Sequence, residues 1–415
     1  MNSKSALFRT QGKQKILNSS LNSDLDKIIL YGFYWAMLRF KLIFLFLTII
    51  SFKFIDFSLC AQTLSIESGV FVGKLIPHTE KFKYSPQAPA YNVEMIIRKK
   101  TFGNKAWSRE AGLPSYGITM SYCNLGKPRE ILSDAIAVFP YLEFDVLHFK
   151  KLRFMMRNGF GVGYVYKPFH RLSNPYQTAI GSHWNLYVNL MLSAQYQLKW
   201  NQMIKLNAMI SHFSNGSTKA PNLGINFIHS GISYQYLLNS NSLSQTNEMV
   251  EDRKRKPWSV NVYAGYALRE SKNIGGPKFS IYSISTSLQY HYSRTRAVQA
   301  GIDAELHMQS WYWVKQTEDP KYFDKPWLPA TRINLFTGHQ WNWGVFSFDV
   351  RFGYLVSPSS ILYNFKFFNR FVFLWEPFYN NKMKVQPNIG IYLKNHFGSA
   401  DHLALCLGLR WREIK

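Results

Sequence analysis

The chain has 415 residues, enough for one large or two ordinary domains, and carries 49 Lys and Arg against 24 Asp and Glu, a formal charge of +25. Aromatic residues make up 17% of it, yet the mean hydropathy is only −0.18, far too low for a bundle of membrane helices. Abundant aromatics with moderate hydropathy suit a transmembrane β-barrel, in which polar lumen residues dilute the apolar outer face.

In chain order, the first feature is Met37–Phe54, MLRFKLIFLFLTIISFKF. Arg39 and Lys41 form a basic start, Leu42–Phe52 an apolar run of signal-peptide length, and Ala61–Gln62 a cleavage point. Lys53 and Asp56 argue against a retained anchor, and Phe57-Ser58-Leu59 is a poor approach to a lipidated Cys60. The preceding 36 residues are long for such a leader, which makes Met37 a second candidate start. Residues 1–61 hold eight basic and three acidic residues, a net of +5, so the rest keeps +20 of the +25. Such charge suits an anionic partner, either nucleic acid or phosphorylated lipid; secretion and the lack of any nucleic-acid motif favour the lipid. A merely solvated basic surface is the competing explanation. Cys123 and Cys406 are far apart, at no metal or redox spacing, and a disulfide between them stays open.

Strand-like runs then follow one another with no convincing long helix. They are 66–76, 91–100, 116–123, 135–147, 152–166, 183–198, 203–214 and 222–238. After a polar stretch at 239–256 come 259–269, 279–292, 298–308, 332–341, 345–356, 367–375, 386–395 and 402–411. The clearest is 183–198: Trp184, Leu186, Val188, Leu190, Leu192 and Ala194 share one face, and Asn185, Asn189, Ser193 and Gln195 the other. The Gly159–Gly163 cluster lacks the strand-then-helix setting of a nucleotide loop. The expected fold is an all-β transmembrane antiparallel barrel of about sixteen strands in one ring, with two eight-stranded halves as the alternative. The expected organisation is a signal region at 1–61, a first barrel region at 62–238, a linker or long turn at 239–256 and a second barrel region at 257–415.

Ile204–Tyr236 concentrates the chemistry. Ile204, Leu206, Ala208 and Ile210 alternate with polar or inward-facing partners, and the same parity carries His212 and Ser214 onto the apolar face. On the second run Ile228, Ile232, Tyr234 and Tyr236 share parity with Asn226. An imidazole can take the proton of a serine two residues away on the same strand face, and an amide opposite can hold the ring. Asn215 and backbone N–H groups are candidates for stabilising an oxyanion. The structural alternative is a polar hairpin end whose groups bond one another. The neighbouring pair Ser182-His183 points to opposite faces and reads as strand-end structure. A faint echo, with His396-Phe397 standing where His212-Phe213 stands and Gly398 in place of the serine, hints at duplicated halves.

The stretch HFSNGSTKAPNLGIN, 212–226, resembles the active-site hairpin of the outer-membrane lipid A 3-O-deacylases, the PagL-like family, and is similar to larger proteins called acyloxyacyl hydrolases. His212-x-Ser214-Asn215, Pro221-Asn222 and Gly224-Ile225 carry the resemblance, which covers 69–238. It implies an eight-stranded barrel that hydrolyses an ester-linked acyl chain of lipid A, with His212 as general base, Ser214 as nucleophile and Asn215 at the oxyanion. It implies lipid A or lipopolysaccharide as partner, location in the outer membrane, no nucleic acid, no cofactor and no metal, and says nothing of oligomeric state. The family has glutamate where this chain has Asn226, which weighs toward the alternative of a non-catalytic pore or structural barrel with a degenerate hairpin. If the mature N-terminus is periplasmic, the seventh strand runs outward and delivers His212 to the outer rim.

Overall fold

The computed structural model describes residues 64–414, apart from positions 78, 85, 88, 104, 127 and 272 and the segments 239–254, 358–364 and 380–382. The expected signal peptide, and all but the last two residues of the expected linker, lie outside the described residues.

Sixteen strands form two closed barrels of eight. The first comprises β1 (Leu64–Ile76), β2 (Ala90–Lys100), β3 (Ser115–Asn124), β4 (Asp134–Phe149), β5 (Leu152–Val165), β6 (Trp184–Lys199), β7 (Gln202–Ser214) and β8 (Ile225–Leu237). The second comprises β9 (Arg255–Glu270), β10 (Lys278–Tyr290), β11 (Arg296–His307), β12 (Thr331–Trp343), β13 (Phe346–Leu355), β14 (Phe367–Trp375), β15 (Val385–His396) and β16 (Ser399–Ile414). Four short helices sit in the connections among the described residues: α1 (Ala106–Glu110), α2 (Arg129–Leu132), α3 (Met308–Thr317) and α4 (Trp327–Ala330). Among the described residues, no helix is long and apolar enough to cross a membrane.

The strand count matches expectation, but the single sixteen-stranded ring does not form. β8 pairs back onto β1 from Ser65↔Leu237 to Ile76↔Asn226, and β16 pairs with β9. Each ring is thereby complete, and β8 offers no free edge on which β9 could add.

Both barrels are inside-out relative to a soluble protein. In β6 Asn185, Asn189, Ser193 and Gln195 are buried, while Val188, Leu190 and Leu192 are exposed. The exposed apolar band continues through Val70, Met95, Leu206 and Ile232 and, in the second barrel, Ile284, Ile302, Phe352 and Leu407. Exposed aromatics edge both rims, Tyr196, Trp200, Tyr236, Trp258 and Trp411 at one and Tyr91, Tyr122, Tyr166, Trp184 and Phe367 at the other. An apolar belt edged by aromatic residues is the surface that a bilayer selects.

The lumens are filled. Arg157 meets Glu94 at 2.7 Å, Lys205 meets Glu67 at 2.6 Å and Glu143 at 3.3 Å, and Arg98 meets Glu143 at 2.5 Å. These pairs link β5 to β2 and β7 to β1 and β4, across the ring rather than along it. The second lumen is braced similarly by Arg370–Asp303 at 2.9 Å, Lys394–Glu305 at 2.8 Å and Arg410–Glu376 at 2.6 Å. Eight strands enclose just enough room for such side chains. Cys123 and Cys406 are separate buried thiols, one in each barrel.

The strand ends are unequal. One end of the first barrel has the two-residue turns 150–151 and 200–201 and the longer connection 101–114, which holds α1, whereas the other end carries loops at 77–89, 125–133, 166–183 and 215–224. The end of β7 is at the rim that carries the four loops, the rim that faces outward in barrels with short periplasmic turns.

Candidate active site

The alternation of β7 decides which side chains leave the barrel. Lys205, Asn207, Met209, Ser211 and Phe213 are buried inside, while Ile204, Leu206 and Ile210 are exposed outside. His212 and Ser214 continue the outer series at the strand's end, and Asn226 continues that of Ile228 and Ile232 on β8. The ladder pairs His212 directly with Asn226; on the other side it pairs Val188 with His212 and Leu186 with Ser214. His212 and Asn226 therefore meet on the outward face of the barrel at the end of β7, with Ser214 two residues further along the same strand.

His212 Nδ1 lies 2.5 Å from Asn226 Oδ1. An amide oxygen only accepts, so Nδ1 is the donor in this contact, and in the neutral ring the basic nitrogen is then Nε2. Ser214 is enclosed by a second amide. Asn222 Nδ2 donates to Ser214 Oγ at 3.1 Å, and Asn222 Oδ1 accepts the Asn215 N–H at 2.9 Å. The Gly216 N–H points at the same serine oxygen, 3.3 Å away. The Asn215 side chain is already engaged: its amide nitrogen donates to Ser182 Oγ in the neighbouring loop and to the Lys219 carbonyl in its own, both at 2.8 Å.

Two contributors had no role assigned from sequence. Asn222 was expected to open the eighth strand, but it sits in the loop, bridged to Ile180, and strand β8 begins at Ile225. Gly224 has φ +86°, and a Cβ there would lie 2.6 Å from His212 Cε1. Both fall within the Pro221-Asn222 and Gly224-Ile225 pieces of the motif, which was the available signal. Ser182 and His183 are strand-end structure: Ser182 Oγ donates to the Trp184 carbonyl at 3.0 Å, and the His183 ring stacks on Tyr164.

The corresponding hairpin of the second barrel, β15–β16, lacks this arrangement. Its turn is only Phe397-Gly398, and His396 Nδ1 donates to the Phe367 carbonyl at 2.9 Å. Inside that barrel Glu305, His307 and Asp401 bring one donor atom each within 4.8 Å of one another. Lys394 and Arg370 already pair with Glu305, and Arg269 and Arg332 with Asp401. With four cations in contact, the group fits an ion-pair network better than a cation site.

The family model described as lipid A 3-O-deacylase (PagL) matches residues 92–235, from β2 through β8. A search of curated proteins finds no match. Among solved structures, Neisserial surface protein A (NspA) is 5% identical, covers 42% of this chain and 96% of its own, and superposes with a TM-score of 0.29. A triple mutant of the Rhodopseudomonas blastica porin is 6% identical, covers 84% of this chain and 100% of its own, with a TM-score of 0.17. Both likenesses are too loose to bear on the chemistry. Over residues 92–235, about a third of the chain, the first barrel is thus similar to the lipid A 3-O-deacylase (PagL) family.

Proposed function

We propose that this protein is an outer-membrane esterase that hydrolyses an ester-linked acyl chain of lipid A. The observation that carries the reading is the contact between His212 Nδ1 and Asn226 Oδ1, made on the membrane-facing side beside Ser214. With Nδ1 donating to Asn226, Nε2 is the ring nitrogen that would act as the base. In the reaction Ser214 Oγ attacks the ester carbonyl carbon while its proton passes to His212 Nε2. The tetrahedral intermediate then expels the sugar alkoxide, which takes that proton, and leaves an acyl-serine. Water attacks the acyl-serine with His212 again as base, releasing the fatty acid and restoring Ser214. Asn226 orients the ring through an amide oxygen and itself supplies no negative charge to the imidazolium. At the oxyanion, the Asn215 amide would have to leave Ser182 or Lys219, while the Gly216 N–H already faces the serine oxygen.

The position of the site supports the substrate. A group at the outer rim, turned toward lipid, meets acyl chains of the outer leaflet, and the charge of +20 outside residues 1–61 attracts phosphorylated glycolipid. The second reading, a non-catalytic barrel, is favoured by the neutral Asn226. Its pore form is disfavoured by lumens packed with paired charges. The test is to incubate the detergent-solubilised full-length protein with lipid A and measure free hydroxy fatty acid by mass spectrometry. Release by the wild type and not by His212→Ala supports the esterase; no release by the folded wild type overturns it.

A further inference from the structure

The loop that carries Ser214 is held from outside its own barrel. Ser217 Oγ donates to the Ala400 carbonyl at 2.7 Å, where β16 begins. The Glu270 N–H, at the end of β9, donates to the Ser217 carbonyl at 3.2 Å. The Glu270 carboxylate then accepts the Ala220 N–H on Oε2 at 3.1 Å and the Gly275 N–H on Oε1 at 2.7 Å. One oxygen thus fixes the carboxylate to its own barrel, and the other holds the neighbour's loop. Glu270 is only 7% exposed, so little water competes for either bond. Gly216 closes the approach: its φ is +61°, and a Cβ there would lie 2.6 Å from Leu403 Cβ. The restraint reaches the residue beside Ser214, because the Lys219 carbonyl, next to Ala220, receives the Asn215 amide.

We propose that Glu270 is a positioning residue, through which the second barrel fixes the conformation of loop 215–222 around Ser214. Its catalytic consequence rests on the deacylase reading; the restraint itself does not. The loop is ten residues long and bounded by β7 and β8, yet its middle is tied to β9 and β16. In this chain the loop geometry thus depends on residues at least fifty positions away, in the second barrel.

The test uses the full-length protein in detergent, with amide hydrogen exchange and steady-state lipid A hydrolysis measured on wild type, Glu270→Ala, Glu270→Gln and a control, Lys321→Ala, on an exposed turn of the second barrel. Loss of one buried acceptor is expected to speed exchange in peptides covering 216–222 about tenfold in Glu270→Ala. kcat should fall by a similar factor with KM held. Glu270→Gln has a single carbonyl oxygen for two N–H groups and should fall between; Lys321→Ala should match the wild type. Unchanged exchange in Glu270→Ala, in a protein with normal barrel migration on gels, overturns the restraint. Faster exchange with unchanged kcat overturns the positioning role. If the wild type itself releases no fatty acid, the deacylase reading fails, and exchange alone upholds or overturns the restraint.

Discussion

His212 and Asn226 face each other across the β7–β8 ladder, Nδ1 to Oδ1 at 2.5 Å, on the side of the barrel that meets lipid. The contact selects the tautomer that a serine hydrolase needs but supplies no negative charge. Asn226→Leu should therefore lower kcat about 10²–10⁴-fold, within the range seen when a triad loses its orienting member. Asn226→Asp, which keeps the acceptor and adds charge, should raise it. The measurement is the rate of hydroxy fatty acid release by each variant; equal rates for all three would detach Asn226 from the reaction.

Gly224 supports the same ring from the loop side. With φ at +86° and a Cβ position 2.6 Å from His212 Cε1, Gly224→Ala should displace the imidazole and strain the backbone. The expected result is a loss of at least tenfold in kcat, at a stability cost of about 1–3 kcal/mol. Parallel kinetics and urea unfolding separate the two effects.

The lumen makes a different prediction. Arg157 and Glu94 are both buried and 2.7 Å apart, and Arg157 also donates to Asn189 Oδ1 at 3.0 Å. Removing one partner strands a buried charge, so Arg157→Met should cost about 3–5 kcal/mol. The double variant Arg157→Met with Glu94→Leu should recover much of that loss. Urea midpoints in lipid vesicles give the cycle.

The lipid-facing surface can be tested at Leu192, exposed in the middle of β6. In a bilayer Leu192→Arg should destabilise the folded barrel by about 2–4 kcal/mol. On a water-facing surface the same change would be close to neutral.

Much of this architecture could be read from the chain. Strict alternation in residues such as Trp184–Leu198 gives the strand and its two faces, and parity alone put His212, Ser214 and Asn226 on one side. Parity does not specify partners. Whether β8 returns to β1 or continues to β9 depends on pairing between residues as distant as Ser65 and Leu237, and a period of two is silent on that. The loop contributors were hidden for a related reason. Asn222 and Gly224 lie where no period governs side-chain direction, and Glu270 meets Ala220 only because two barrels abut at their outer rims.

The most direct measurement is the mass spectrum of lipid A from cells expressing the full-length protein and its Ser214→Ala variant, each verified as folded in the outer membrane. The account predicts loss of one hydroxyacyl mass with the wild type and an unchanged spectrum with Ser214→Ala. An unchanged spectrum with both, or the same loss with both, would contradict it.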